Sequence, residues 1–346
     1  MDPREMAAIL ECPHCGGDLA LEELRCKSPA CGRPFRSLLG IPDLRIPQAA
    51  AVDYEQDWTI AYSLAEAYPS SSFQDLVEHL WQARVRQKMV SRGFADMRIG
   101  QILRASLKHA QDLEDTGWLG QLVPRDVRTR VLDLGCGPGA FLLAASRHFG
   151  GAFGIDISIA WLLICQKRLE AEGIQALLVC ACAERLPFRR DSFDLVMAFD
   201  ALEHVADRDR TVGEAHRVAR PGGFIACTTP NRFSPSAEAH HQIWGVGLLP
   251  RAWMSGYVRW RTGEECRFTY LFSIFGVRRL FARHVAGGCR VVVPDLWSED
   301  IEHFSPAKRV AGHLYNLVIR VRLFRAALVF VAPFFRVIAR KDPDAL

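Results

Sequence analysis

The hydrophobic pattern of the chain is most regular over residues 129–231, where short apolar runs alternate with amphipathic stretches. That alternation is typical of repeated β-strand–α-helix units. The predicted strands are Arg130–Leu134, Gly151–Ile155, Ala176–Cys180, Phe193–Phe199 and Gly223–Thr228. The predicted helices are Ala140–Phe149, Ile159–Glu172 and Asp209–Ala219. Because the strands are apolar without polar alternation, we predict an α/β fold with a doubly wound, mostly parallel sheet covered on both faces.

Three flanking zones differ from this core in composition and in hydrophobic pattern. Residues 1–47 are rich in Cys, Gly and Pro and are expected to form a small separate module. Residues 48–128 are expected to form a helical linker or cap, because apolar residues recur three and four positions apart, as at Leu76 and Leu80. Residues 232–346 are aromatic and basic, and we expect them to supply a substrate-cap region and C-terminal helices that complete the fold.

Composition limits the classes of function. The chain has 346 residues and a formal net charge of +4, which by itself is too weak to indicate a nucleic-acid partner. Its 11 cysteines, with no secretory signal in Met1–Leu10, favour thiols or metal ligands in a cytoplasmic protein over a disulfide framework. No run reaches the roughly 18 apolar residues of a membrane span, so any membrane association is expected to be peripheral.

A glycine-rich loop follows the first predicted strand and opens the first helix. Gly135, Gly137 and Gly139 allow a tight turn and a close approach of the backbone to a ligand. Asp156 ends the second predicted strand about 20 residues on, where a carboxylate that binds ribose is expected. The spacing also fits a dinucleotide-binding loop. Asp133 argues against that reading, since its carboxylate suits the cationic amino group of a methionine moiety and has no use in binding pyrophosphate.

A series of motifs continues from this loop in a fixed order. They are Val131-Leu132-Asp133-Leu134-Gly135-Cys136-Gly137, Gly154-Ile155-Asp156, Ala183-Glu184-Arg185-Leu186-Pro187-Phe188, Asp191-Ser192-Phe193-Asp194, Leu202-Glu203-His204-Val205, Arg217-Val218-Ala219-Arg220-Pro221-Gly222-Gly223 and Thr229-Pro230-Asn231. With this set, residues 130–231 closely resemble the class I S-adenosylmethionine-dependent methyltransferases of the ubiquinone/menaquinone-biosynthesis type (methyltransferase type 11). The resemblance implies a Rossmann-like fold and S-adenosylmethionine as the cofactor.

The resemblance also implies roles for the matching residues. Asp133 and the loop glycines Gly135, Gly137 and Gly139 would hold the methionine end of the cofactor. Asp156 would bind the ribose, Ile157 would pack on the adenine, and Ala183 and Glu184 would flank it. Asp200 would face the sulfonium. The chain departs from the family at Cys182, where an acidic residue that contacts the adenine amino group is common.

Cysteines at short spacing mark the N-terminal zone. Cys12 and Cys15 form a CxxC knuckle, and Cys26 and Cys31 follow with a spacing of five positions. Four thiolates from two short loops match a tetrahedral structural zinc site. So small a zone needs a stabilising metal ion to fold. The zone, down to the ending Gly40-Ile41-Pro42-Asp43-Leu44, is similar to the zinc-ribbon family typified by Trm112. That resemblance implies a scaffold, and a closed site of this kind leaves no position open for catalysis.

The sequence says less about the residues that bind and activate the methyl acceptor. Methyl transfer depends mostly on positioning, with a general base for some acceptors, and His204 and His241 are the candidates for a catalytic base. Both could equally be packing or surface histidines. Aromatic and arginine residues within Trp244–Tyr270 suit a lid over the substrate or a helical cap with an aromatic core. Leu317–Ala339 is apolar with interspersed arginines and could be a membrane-surface helix or a buried C-terminal helix.

These features favour a methyltransferase that acts on an oxygen or carbon of a small molecule, lipid-like or a specialised metabolite. An rRNA methyltransferase with an N-terminal zinc module is the alternative, although a nucleic-acid partner is not expected at this net charge. Asp200-Ala201 also stands where the motif of base amino-group methylation would follow the fourth strand. A regulatory protein with a degenerate domain and a dehydrogenase are further alternatives. The sequence leaves the oligomeric state open.

Overall fold

A computed structural model of the chain describes residues 8–46, 52–86, 92–114, 117–126, 128–237, 243–263, 270–297, 301–302 and 306–343. The chain divides into two compact units. Unit 1 comprises Met1–Phe199, Val205–Ile225 and Lys341–Leu346. Unit 2 comprises Asp200–His204 and Ala226–Arg340.

The strands are β1 Leu19–Ala20, β2 Arg25–Cys26, β3 Arg36–Leu38, β4 Ile41–Asp43, β5 Arg130–Leu134, β6 Gly151–Asp156, β7 Leu177–Cys180, β8 Phe193–Phe199, β9 Ala219–Pro230, β10 Arg290–Val292 and β11 Phe334–Arg340. The helices are α1 Tyr54–Ala67, α2 Phe73–Arg86, α3 Arg92–Leu113, α4 Ala140–Ala145, α5 Ile159–Ala171, α6 Arg208–Val218, α7 Arg251–Thr262, α8 Ile274–Ala282, α9 Pro306–Val318 and α10 Arg322–Leu328. Single 3₁₀ turns lie at Tyr68–Ser70 and Val246–Leu248.

The sheet of unit 1 runs in the order β8-β5-β6-β7-β4-β3. β5 pairs in parallel with both β6 and β8, and β6 pairs in parallel with β7. The predicted α/β fold with a mostly parallel sheet is therefore confirmed. Because the strand order changes direction at β5, the carboxyl end of β5 is the switch point at which such sheets bind ligands, and the glycine loop begins there.

Helix α4 is shorter than the sequence predicts. It ends at Ala145, four residues before the predicted end at Phe149. The amides of His148 and Phe149 both donate to the carbonyl of Ala145, so the chain closes into a turn before Gly150 and Gly151 instead of adding a helical turn. The other two predicted helices of this zone lie within one residue of their predicted ends.

The end of the cysteine-rich zone extends the main sheet. β3 and β4 form an antiparallel hairpin, and β4 pairs in parallel with β7 at Asp43 and Cys180. The amide of Leu44 donates to the carbonyl of Cys180 at 2.7 Å. The sequence predicts a separate module over residues 1–47, whereas the structure uses its last strands to cover the open edge of β7. The physical reason is that an uncovered strand edge presents unpaired N–H and C=O groups.

Helices α1 and α2 pack on α5 on one side of this sheet. Their buried apolar side chains include Trp58, Leu64, Leu76 and Leu80, which join those of α5 in one core. This burial explains the three- and four-residue spacing of the sequence. At about 25 cal/mol per Å² of buried apolar surface, each fully buried leucine contributes about 1.5–3 kcal/mol to the packing of the helical layer.

In unit 2, a strand replaces the predicted end of the C-terminal helix. The sequence predicts one apolar helix over Leu317–Ala339, which is wrong: α10 ends at Leu328 and β11 begins at Phe334. Pro333, which lacks an N–H, precedes the strand and stops the helical pattern. β11 pairs antiparallel with β10, with Val337 opposite Val291. Within the described part of the chain, every helix is too short or too polar to cross a bilayer.

Candidate cofactor and metal sites

The glycine loop presents its backbone to the surface of unit 1. Gly135 and Gly137 have φ angles of +74° and +47°, which glycine adopts without strain. The amides of Gly135 and Cys136 both donate to the carbonyl of Ile155 at 2.8 Å, and these bonds hold the loop against β6. Gly135 is exposed, and a Cβ built on Gly137 would meet open space. A ligand can therefore approach the backbone closely at both positions.

Asp156 anchors the loop from the end of β6. Its Oδ2 accepts a hydrogen bond from the amide of Gly137 at 2.9 Å, and its Oδ1 accepts one from the amide of Ser158 at 2.9 Å. Each carboxylate oxygen still has acceptor capacity beyond these bonds. The two hydroxyls of a ribose match that capacity.

Asp133 is a buried carboxyl whose chemistry points to a cationic ligand. It is only 2% exposed, and its Oδ1 has no hydrogen-bond partner. Burial, and then the charge of Asp156, raise the pKa of Asp133 well above its ordinary value. An unpartnered buried carboxyl oxygen costs about 1–3 kcal/mol, and an ammonium group would relieve both this cost and the repulsion. The amino group of a methionine moiety therefore fits the position.

Gly139 supports the loop from beneath. It is buried at the N-terminus of α4 with a φ angle of +74°, and a Cβ there would lie 2.5 Å from the Sγ of Cys165 in α5. Gly139, which the resemblance groups with the residues that hold the cofactor, thus packs against helix α5. Close packing of helix on strand is the role of the third glycine in nucleotide loops.

We expect Gly139→Ala to destabilise the protein more than Gly173→Ala does. Both glycines have positive φ, but a Cβ at Gly173 would meet nothing within 4 Å. The control therefore carries only the backbone strain of about 1–2 kcal/mol, and Gly139→Ala adds a packing clash of about 1–3 kcal/mol. Urea unfolding measures the difference in the free energy of unfolding. Equal losses in the two variants would contradict the packing role.

An arginine from the N-terminal zone reaches the segment that follows β6. Arg45 Nη1 donates to the carbonyl of Ile157 and to Asp57 Oδ2, both at 2.8 Å. Its Nε and Nη2 donate to the two oxygens of Asp43 at 2.8 and 2.6 Å. Arg45 is buried, so this guanidinium replaces its water shell with two carboxylates and one carbonyl. The sequence analysis missed Arg45, because nothing in the sequence pairs it with residues more than 100 positions away.

Asp57 completes this network from α1. Its Oδ1 accepts from the hydroxyl of Ser158, and its Oδ2 accepts from the amide of Ile159 at 3.0 Å. Asp57 thereby satisfies the start of α5 and holds the residues that follow Asp156. The signal for it in the sequence is an acidic residue beside the buried apolar residues Trp58 and Ile60 of the same helix. Arg45 and Asp57 together fix the segment that would carry ribose and adenine.

Two further residues that the resemblance places near adenine have protein partners. The Sγ of Cys182 lies 3.7 Å from the hydroxyl of Tyr54 and 3.7 Å from the carbonyl of Ile46. The carboxylate of Glu184 accepts from the amides of Ala206 at 2.9 Å and Asp207 at 3.3 Å. Glu184 therefore ties its own loop to the start of α6, and Ala183 beside it is half-buried.

The turn after β8, in unit 2, carries the remaining predicted residues. Asp200 is exposed with a φ angle of +47°, and its Oδ1 accepts from the hydroxyl of Thr228 at 2.8 Å. His204 is half-buried, and its amide donates to the carbonyl of Ala201, so it lies in a turn and not at a helix start. His241 lies outside the described residues.

Glu203 is the buried acid of this turn, and the sequence analysis gave it no role. Its Oε2 accepts from the hydroxyl of Thr229 at 3.1 Å, and its carbonyl accepts from the amide of Tyr270 at 2.8 Å. Burial first, and then the charge of Asp200, raise the pKa of Glu203 to about 8. The raised pKa favours the protonated carboxyl, and the bonds of Glu203 to Thr229 and Tyr270 fix the turn that holds Asp200 and His204.

The four N-terminal cysteines come together as the spacing predicts. The ligand atoms of Cys12, Cys15, Cys26 and Cys31 all lie within 4.8 Å of one another. Two of the separations are 4.0 Å for Cys12–Cys31 and 3.5 Å for Cys15–Cys26. A zinc–sulfur distance of about 2.3 Å places the sulfurs of a tetrahedral site about 3.8 Å apart. The sulfur arrangement therefore fits a tetrahedral thiolate site.

The segment of residues 8–35 carries the four cysteines and is called the ribbon below. It is bonded to the loop that follows Glu184. The amide of Glu11 donates to the carbonyl of Pro187 at 3.0 Å, and the amide of Arg189 donates to the carbonyl of Ile9 at 2.8 Å. Arg185 Nε donates to the carbonyl of Pro13, inside the first knuckle, at 2.8 Å. The ribbon and this loop therefore form one structural element of unit 1.

Comparisons with known proteins agree with this geometry. Residues 132–227 match the sequence model of the family described as "Methyltransferase domain". The chain is 36% identical over 100 residues to "Methyltransferase GfsG" of Streptomyces halstedii, covering 28% of this chain and 36% of that protein. It is 36% identical over 144 residues to "Ubiquinone biosynthesis O-methyltransferase" of Paracidovorax citrulli, covering 39% of this chain and 58% of that protein.

Among solved structures, the YcgJ protein of Bacillus subtilis aligns with a TM-score of 0.42 and 19% identity, over 68% of this chain and 99% of that one. The match to the curated relatives spans about a third to three fifths of their length. The family match covers the strands and loops from β5 to β9, which carry Asp133, the glycines and Asp156. Residues 132–227 therefore resemble a methyltransferase domain over the part of the chain that carries the glycine loop and Asp156.

Proposed function

We propose that the chain is an S-adenosylmethionine-dependent methyltransferase that acts on an oxygen or carbon of a small molecule. The observation that carries the proposal is the buried carboxyl of Asp133, whose Oδ1 has no partner, at the carboxyl end of β5 next to an open glycine loop. A dehydrogenase loop binds the pyrophosphate of its cofactor there, and the carboxylate of Asp133 would repel that pyrophosphate. S-adenosylmethionine presents an ammonium group instead.

The roles of the residues follow from their contacts. S-adenosylmethionine supplies an electrophilic methyl group. Asp133 would hold its amino group, Gly135 and Gly137 would let its methionine end lie on the backbone, and Asp156 would accept from the ribose. Ile157, positioned by Arg45, would pack on the adenine beside Ala183. Asp200 would face the sulfonium, and His204 would act as a general base for an acceptor that must lose a proton.

The class of acceptor is inferred from the relatives and from unit 2. The relatives are named for ubiquinone biosynthesis and for phthiotriol dimycocerosates, and both names denote lipid-like molecules. The described part of the segment predicted as a lid exposes Trp244, Trp253 and Trp260, which suits contact with an apolar acceptor. An rRNA acceptor is not favoured, because the Paracidovorax citrulli relative is named for ubiquinone biosynthesis and Asp200-Ala201 follows β8.

Calorimetry on the full chain tests the proposal. We expect S-adenosylmethionine and S-adenosylhomocysteine to bind and NAD not to bind. We further expect Asp133→Asn to weaken S-adenosylhomocysteine binding about 10- to 100-fold, since a charge-assisted hydrogen bond contributes about 1.5–3 kcal/mol. The same variant should raise the melting temperature of the ligand-free protein, because it removes a buried charge. Tight NAD binding, or unchanged affinity in Asp133→Asn, would overturn the proposal.

The pH dependence of cofactor binding follows from Asp156. Burial is the main cause that raises its pKa from 3.8 to about 6; Asp57 raises it further, while the amides of Ser158 and Gly137 and the charge of Arg84 lower it. Because the carboxyl ionises less readily in the folded chain, its ionisation costs stability progressively between pH 3.8 and about 6. Binding of ribose needs the ionised form.

We therefore expect the affinity for S-adenosylhomocysteine to fall as the pH is lowered from 7.5 through about 6, approaching tenfold per pH unit. Asp156→Asn should bind more weakly at neutral pH and show a shallower pH profile. Titration calorimetry at a series of pH values measures both. A profile of unchanged slope in Asp156→Asn would assign the dependence to another group, such as Asp133.

We propose that the four-cysteine site holds a structural zinc ion. Its thiolates leave no coordination position for substrate, so the ion would stabilise the ribbon and take no part in methyl transfer. The bonds from the ribbon to Pro187 and Arg189 support a scaffold role beside the loop of Ala183 and Glu184.

A further inference from the structure

The outer side of α9 and α10 in unit 2 exposes an unusual amount of apolar surface. Six of its large apolar side chains are between 46% and 78% exposed: Val310, Leu314, Leu317, Leu323, Phe324 and Phe330. We call these residues, with the helices that carry them, the α9–α10 surface. Scattered single apolar residues are normal at a protein surface, but a contiguous group marks an interaction site.

Helix α9 is amphipathic, but its apolar stripe is exposed and does not face the core. Val310, Leu314 and Leu317 recur at four- and three-residue spacing, so they form one stripe, and that stripe is exposed. The inner face is held by polar and apolar contacts: the side-chain amide of Asn316 donates to the carbonyl of Leu296 at 2.7 Å, and Tyr315 packs on a small apolar cluster while its hydroxyl donates to the carbonyl of Pro294 at 2.8 Å. A surface helix ordinarily turns its apolar stripe toward the core. Among the described residues nothing covers the stripe of α9, so the stripe is open to a partner.

The charges of the surface are all positive. Residues 306–331 contain no Asp or Glu and carry five cations, at Lys308, Arg309, Arg320, Arg322 and Arg325. All five side chains belong to exposed residues. An apolar stripe flanked by lysine and arginine is the pattern of helices that lie in the interface of an anionic membrane. A second copy of the same face would oppose cations to cations, which disfavours a symmetric dimer through this surface.

We infer that the α9–α10 surface docks on anionic lipid bilayers, with its apolar side chains in the headgroup region. The helices would lie on the membrane surface, because no helix among the described residues is long and apolar enough to span a bilayer. This inference rests on the exposed stripe and its charges and is independent of the cofactor site. Together with the proposed function, it supplies a source for a lipid-like acceptor.

Vesicle flotation of the full chain tests the docking. The probes are vesicles of phosphatidylcholine alone and vesicles in which about a third of the lipid is phosphatidylglycerol. We expect strong binding to the anionic vesicles only. Arg320→Gln with Arg322→Gln should weaken it roughly 25-fold, about fivefold for each arginine. Leu314→Gln with Leu323→Gln should weaken it by about tenfold or more for each leucine withdrawn from the membrane.

A matched control removes the same charge elsewhere. Arg104→Gln with Arg190→Gln changes two exposed arginines of unit 1, away from the surface, and its vesicle binding should stay within about threefold of the unchanged protein. Melting temperature and S-adenosylhomocysteine binding show that each variant is folded, and they report on the proposed function separately. Equal binding to neutral vesicles, no binding to either, or an unaffected leucine variant would overturn the inference. A dimer in sedimentation velocity that the leucine variant abolishes would also overturn it, in favour of a second copy.

Discussion

Removal of the zinc ion that we propose for the four-cysteine site is expected to unfold the ribbon and to weaken S-adenosylhomocysteine binding by roughly tenfold, about 1.4 kcal/mol. The reason is the small size of the ribbon. Its two strands, β1 and β2, have two residues each, and its buried apolar side chains near the site are few, such as Leu19 beside Cys12 and Cys26. Such a module depends on metal binding for its folding, and structural zinc contributes about 10–16 kcal/mol in comparable peptides.

The effect should reach the cofactor because the ribbon is bonded to the loop after Glu184. Without the ribbon, the carbonyls of Ile9 and Pro13 no longer accept from Arg189 and Arg185. The loop then loses partners that hold it in place, and part of the cofactor's binding free energy must be spent on ordering it.

Cys26→Ser and a zinc chelator test this prediction together. Elemental analysis should show about one zinc ion per chain, lost in Cys26→Ser and retained in the control Cys289→Ser, which changes a cysteine outside the cluster. Calorimetric melting and titration measure stability and affinity. A chain without metal, or a Cys26→Ser variant with unchanged melting and affinity, would exclude the scaffold role.

Replacing Arg45 with Met is expected to destabilise the protein by about 3–5 kcal/mol, because it leaves the carboxylates of Asp43 and Asp57 buried beside an apolar side chain. The side chains of Asp43 and Asp57 are only 11% and 5% exposed, so neither carboxylate can turn to water without opening the core. We also expect weaker S-adenosylhomocysteine binding, since the carbonyl of Ile157 loses its donor.

The matched control is Arg128→Met. Arg128 pairs with Asp126 at the same spacing of two residues, but its side chain is 88% exposed, and a pair of this kind contributes about 0–1 kcal/mol. Arg45→Met combined with Asp57→Asn should recover part of the stability, because the second change removes one unpaired charge. Urea unfolding measures all the variants. Similar losses for Arg45→Met and Arg128→Met would show that the buried network is not a support of the fold.

The strands and helices of residues 129–231 were largely predictable from the sequence because their signals are local. β5 and β8 have their predicted ends, since each is an apolar run bounded by polar or glycine residues. The glycine loop and Asp156 follow from fixed spacing along one strand–helix–strand unit. The four cysteines were predictable for the same reason, because a knuckle and its partner lie close in the chain.

The network of Arg45 and Asp57 was not predictable, because it joins residues more than 100 positions apart. Arg45 contacts Ile157 and Asp57 contacts Ser158 only after β4 has paired with β7 and α1 has packed on α5. A single arginine or aspartate has no periodic signal. The same holds for Glu203, whose pKa is raised first by burial in the folded unit and only then by the charge of its sequence neighbour Asp200.

The sequence by itself predicted the strands and helices of residues 129–231, the glycine loop and the grouping of the four cysteines, because these depend on short-range periodicity and spacing. Tertiary structure alone decided that the end of the ribbon zone is an edge of the sheet and that Gly139 packs against Cys165. It also decided that the C-terminal apolar segment divides into α10 and β11 and that the stripe of α9 faces outward. An apolar residue has the same pattern in the sequence whether it faces the core or a partner, and only the positions of the other elements distinguish the two.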